Sequence, residues 1–139
     1  MIAARGERGF VATEFALGVG VLLLPVALLV LTLPTWSERQ TTARAMAREA
    51  GRAVAATGVC RPGLADDVVT TMARNLGLAA ADATVRLDCR GGALEPGSDL
   101  EVAVTVRMPA VSIPGIGAVG EWTWTAVHRE PVDQYASAP

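Results

Sequence analysis

Gly9-Phe10-Val11-Ala12-Thr13-Glu14-Phe15 runs directly into the apolar stretch Ala16 to Leu33, and the reading of this junction decides the fold. From Phe15 to Leu33 no residue is charged, and the run is long enough for a helix to cross about 30 Å of hydrocarbon. Gly18, Gly20 and Pro25 interrupt it. Pro25 cannot donate to the carbonyl of Val21, so a bend is expected near the middle, one that neighbouring groups in a membrane tolerate. Trp36 falls where an interfacial anchor is expected. A short leader with Arg5 and Arg8 precedes the junction, and Glu14 lies five residues after Gly9, inside the span. An ionisable residue there is costly and marks a functional position.

The chain has 139 residues, room for one span and one small domain. Its mean hydropathy is +0.36 because apolar residues concentrate near the N-terminus. All 12 basic residues are arginine, the net charge is −2, and no basic stripe is interleaved with aromatics, which argues against a nucleic-acid partner. The two cysteines, Cys60 and Cys89, both follow the span and suit one disulfide in an oxidising compartment. A cleaved secretory signal would have an h-region of roughly 7–15 residues. Here the apolar run is longer, and the nearest small-residue site, Ala43-Arg44-Ala45, lies well beyond it.

Past Trp36 the pattern stays helical. Ala43, Met46, Ala47, Ala50, Ala53, Val54 and Thr57 share one face and Gly58 supplies a stop, so span and stem are expected to form one helix from about Phe10 to Thr57. Arg44, Arg48 and Arg52 form an i, i+4 row on another face, read as a solvated surface in preference to a site for acidic groups or lipid headgroups. Pro62-Gly63 opens a second helix, with Leu64, Val68, Met72 and Leu76 repeating every four residues and Ala65 and Val69 alongside. Asp66 and Asp67 are placed in its first turn, Arg74 in its last, and Gly77 after it. The period then becomes two: Val85, Leu87 and Cys89 alternate with polar residues, as do Leu100, Val102, Val104, Val106 and Met108. A third strand, Glu121 to Arg129, puts Trp122, Trp124, Ala126 and His128 on one face.

Gly91-Gly92 and Glu95 to Ser98 read as turns, and Pro109 to Gly120 as a loop too rich in proline and glycine to be regular. That loop is either an exposed contact site or a cover over the edge of a small core. Pro131 to Pro139 reads as a frayed end. The predicted fold class is α+β: a long N-terminal helix, then a short helix packed on a three-stranded antiparallel sheet. A domain of about 80 residues gains little surplus stability from its core.

Gly9, Phe10 and Glu14, with the basic leader before them, resemble the processing junction of type IV pilin-like precursors, and most of all the TadE and TadG branch of minor pilin-like proteins of the tight-adherence pilus. The resemblance covers about Arg5 to Trp36, and the downstream order of helix, strands, proline-glycine loop and final strand is similar in outline. It implies cleavage between Gly9 and Phe10 by a prepilin peptidase, and assembly with other pilin-like subunits. It also implies pairing of the Glu14 carboxylate with the new α-amino group of a neighbouring subunit. The competing reading of Glu14 is a carboxylate that snorkels to the headgroups.

The organisation expected is residues 1–9 a prepilin-like leader, 10–35 a transmembrane helix, 36–58 a helical stem and 59–139 a small extracytoplasmic domain, held in membrane lipid of the cytoplasmic membrane. Arg39, Arg44, Arg48 and Arg52 outnumber Arg5 and Arg8 and by themselves would put the C-terminal side in the cytoplasm. The junction and the cysteine pair argue for the opposite orientation.

Catalytic chemistry has little to stand on. One histidine, no metal-ligand spacing and no phosphate loop leave no catalytic residue, metal, cofactor or small-molecule substrate to name. The expected function is a minor pilin or pseudopilin assisting assembly of a tight-adherence pilus or related export machine. The rivals are an unrelated single-pass membrane protein whose outer domain binds a partner or the envelope and, more remotely, a membrane-tethered enzyme.

Overall fold

A computed structural model describes residues 7–89, 94–113, 117–120 and 122–133. Most of the leader with Arg5, the Gly91-Gly92 turn, Pro114 to Ile116, Glu121 and the tail from Gln134 lie outside the described residues. Helix α1 spans Glu7–Ala55 and runs unbroken through Pro25 and Pro34. It is followed by α2 (Pro62–Asn75), a short 3-10 turn at Ala80–Asp82, and strands β1 (Ala83–Asp88), β2 (Asp99–Met108), β3 (Val111–Ile113), β4 (Gly117–Val119) and β5 (Trp122–Pro131). The chain divides into two compact units, Met1–Pro34 and Thr35–Pro139.

In the first unit the apolar side chains from Val11 to Leu33 are almost all exposed, among them Phe15, Leu17, Leu22 and Leu31. The most apolar 18-residue window of α1 has a mean hydropathy of 2.7, and by length and composition the helix could span a membrane.

The second unit is α+β, as predicted. Its sheet has the order β1-β2-β5 and is antiparallel throughout. The two-residue period of β2 places Leu100, Val102, Val104, Val106 and Met108 on its inner face, where none is more than 1% exposed. Burying residues of this size is worth roughly 1.5–3 kcal/mol each, so β2 is the centre of the core. The outer face is polar, with cross-strand pairs that follow the register: Glu101 accepts from Arg129 at 3.0 Å and the hydroxyls of Thr105 and Thr125 are 2.7 Å apart.

Two helices cover the inner face. The α1 stripe read from the sequence is in the core through Ala43, Met46, Ala47, Ala50 and Val54, with Ala53 and Thr57 half-buried. The compact unit accordingly begins at Thr35, and the stem folds as part of the domain. Helix α2 contributes Ala65, Val69 and Ala73, with Leu64, Val68 and Met72 partly buried beside them and Leu76 exposed. Its first turn, starting at Pro62, contains no acidic residue; Asp66 and Asp67 sit one turn further in and are exposed, a correction to the predicted placement. The end of α2 is fixed by backbone bonds from Gly77 N–H to Arg74 and from Leu78 N–H to Ala73. That cap needs a left-handed residue, and Gly77 supplies it at φ +73°.

The stretch from Pro109 to Gly120 is more regular than predicted. β3 and β4 pair antiparallel, Val111 opposite Val119 and Ile113 opposite Gly117, as a second, two-stranded sheet. Glycine is what permits it: Gly117 and Gly120 take φ values of +100° and +85°, which other residues rarely adopt.

Candidate functional site

Gly9 and Phe10 lie in the opening turns of α1, and Glu14 follows one turn on, with its side chain exposed. Gly18 is four residues further along the same face and adds no side chain, so a shallow notch lined by Thr13, Glu14, Leu17 and Gly18 opens beside the carboxylate. Beyond Glu14 the next charged residue is Glu38. The arrangement is a single carboxylate on an otherwise apolar, exposed helix surface, with space beside it for another chain to approach.

Cys60 and Cys89 stand at disulfide distance, with Cα atoms 6.1 Å apart and a sequence separation of 29. The bond ties the segment between α1 and α2 to the end of β1, where Cys89 is buried at 8% exposure. It is remote in sequence from Glu14 and belongs to the second unit, so it braces the domain and takes no part in the Glu14 site.

The arginine row is exposed at Arg44, Arg48 and Arg52, as the solvated-face reading expects, and it also makes contacts. Arg44 places its guanidinium 5.1 Å from the centroid of the Trp124 ring, within cation–π range. Arg44 and Arg48 line an open cleft of about 380 Å³ with Trp124, Thr125, Ala126, Val127 and His128. His128 is a rim residue. Its Nε2 is 2.7 Å from a Glu130 carboxylate oxygen, and its ring edge faces α1 at Gly51. Among the described residues no group of three or more His, Cys, Asp or Glu is placed to hold a metal ion.

Sequence reasoning missed a second cluster, at the start of the domain. The Trp36 indole N–H donates to the Pro109 carbonyl at 3.2 Å, and its ring meets Trp122 edge-on with centroids 5.7 Å apart. One helical turn on, Arg39 donates to the Arg107 carbonyl at 3.2 Å, and the Arg39 and Arg107 side chains flank Asp82 at 4.0 and 3.8 Å. These partners are about 70 residues apart in sequence, at separations of 73 and 68, so no local pattern announces them.

Compared with protein-family models, curated protein sequences and solved structures, the chain matches none. Any family assignment therefore rests on the residues of the junction themselves.

Proposed function

We propose that this chain is a membrane-anchored structural subunit of the pilin-related kind, similar to TadE-like minor pilins, which assists assembly of a tight-adherence pilus or a related export machine. In this reading the leader is cut after Gly9 by a prepilin peptidase at the cytoplasmic face. Residues 10–35 hold the chain in the cytoplasmic membrane, and the disulfide-braced domain lies outside it. Other pilin-like subunits pack against the apolar helix.

The observation that carries the reading is Glu14: an exposed carboxylate five residues after a glycine-phenylalanine junction, on a helix with no further charge until Glu38. A lone carboxylate in hydrocarbon is expensive. Cleavage after Gly9 creates an α-amino group at Phe10, and a neighbouring subunit's amino group set in the notch beside Gly18 would compensate both charges. The chemistry is assembly, with no bond made or broken after processing.

The test is Glu14→Ala. Removing a charge makes the span more apolar, so membrane insertion and leader cleavage are expected to persist. Recovery of the protein with assembled pili or partner subunits is expected to fall. Unchanged co-purification would mean that the carboxylate snorkels to headgroups and pairs with nothing.

A further inference from the structure

The residues from Met108 to Gly120 carry no charge, with Arg107 before them and Glu121 after. Within this stretch Val111–Ile113 and Gly117–Val119 pair as β3 and β4, and Gly117 to Gly120 are all open to solvent, Val119 at 48%. Trp122, directly after it, is 39% exposed although its ring packs on Trp36. Val119 and Trp122, both exposed at the end of an uncharged stretch, are an apolar surface awaiting a partner.

Trp36 touches both ends of this hairpin. Trp36 bonds the carbonyl of Pro109, before β3, and packs against Trp122, after β4. Trp36 is also the second residue of the domain, two positions past Pro34 and three past Leu33, where the apolar stretch ends. The hairpin is thus anchored where the chain leaves its apolar segment. Behind it stand Arg39, Arg107 and Asp82, joined through the Arg39 to Arg107 backbone bond and the flanked carboxylate. Along the chain the order Leu33, Trp36, Arg39, apolar residue then tryptophan then arginine, is the one that a bilayer interface selects.

We propose that the β3–β4 hairpin, together with Trp122, lies in the headgroup–acyl boundary of the membrane and rests the domain on the bilayer surface. The occupant of the apolar patch is lipid. This rests on the membrane-anchoring part of the reading above and is independent of the pilin-like part. The contact is short-ranged and reversible, in the manner of interfacial segments, and it needs no specific headgroup.

The experiment uses the full chain in vesicles of phosphatidylcholine and phosphatidylglycerol, kept without reductant so that Cys60 and Cys89 remain bonded and unlabelled. A single cysteine is introduced at Ala118→Cys or, as a second hairpin site, at Val119→Cys, and carries an environment-sensitive fluorophore. A control label goes at Glu95→Cys, an exposed position next to the turn that joins the opposite end of β2. Alkaline flotation first shows whether the chain is integral to the vesicles. The expected result is flotation of all three variants, with the hairpin labels blue-shifted and quenched several-fold more by nitroxide-bearing lipid than the control label. A chain that does not float overturns the anchoring reading and this proposal together. Flotation with hairpin labels as water-exposed as the control leaves the anchor standing and overturns the hairpin contact. Labels shielded from water yet not quenched by lipid also overturn it, in favour of a protein neighbour.

Discussion

Gly51 packs close to the sheet. A Cβ added there would stand 3.3 Å from both the Glu130 Cβ and the His128 ring edge, and 3.6 Å from Val102. The residue is four positions after Ala47, on the buried stripe, where a glycine inside a helix lowers helix propensity. Propensity and packing oppose each other at this site. Alanine would gain up to about 1 kcal/mol of helix propensity, against a contact tighter than most neighbours accept. A larger side chain has no such offset, because its further atoms must displace Val102 or the backbone of β5. Gly51→Leu is therefore expected to destabilise the domain by about 1–3 kcal/mol through overpacking, seen as a lowered Tm in circular dichroism of the detergent-solubilised protein. An unchanged Tm would show that α1 is not packed closely against β2 and β5. The same opacity applies to Arg44 over Trp124 and Trp36 on Pro109. The residue types were visible in the sequence, but which ones meet is decided by packing between segments about 70–80 residues apart.

At the scale of elements, legibility followed the length and purity of the periodic signal. β2 alternates without fault over ten residues and was readable outright. The second helix was readable too, but its repeat of larger residues, Leu64, Val68 and Met72, took the lead over Ala65 and Val69, named beside it, and Ala73, not named, which are the ones buried. Small residues take the inner positions because α2 approaches the sheet closely. The β3–β4 hairpin was not legible, since three residues per strand are too few to show a period and Gly117 and Gly120 read as breakers. The element-level prediction concerns the bond from Cys60 to Cys89, which links the end of the stem to β1 across 29 residues. The chain-entropy model assigns such a loop roughly 3–4 kcal/mol, comparable with the stability a small core supplies. Protein taken unreduced from its native membrane and denatured should show no thiol reactive to maleimide, and reduction should lower its Tm. Two reactive thiols would place the domain in a reducing compartment, as the arginine count suggests.

For the whole molecule, the sequence divides where the physics changes, at the end of the apolar run. The structure sets the boundary of its compact units at Pro34 and Thr35. The domain owes its core to both helices, so the stem is as much a part of it as the sheet. What the fold does not carry is orientation or assembly. In the proposed reading both depend on a handful of residues at the N-terminus, where Arg8, Gly9, Phe10 and Glu14 point one way and the later arginines the other. A three-stranded sheet with two helices serves many purposes, so the proposed function rests on the junction. The direct measurement is the intact mass of the protein recovered from its native membrane fraction, for the native chain and for Gly9→Val. The account predicts a native chain that begins at Phe10 and a variant that keeps its leader. A native chain that still begins at Met1, or one cut after Ala45 so that it begins at Met46, would contradict it.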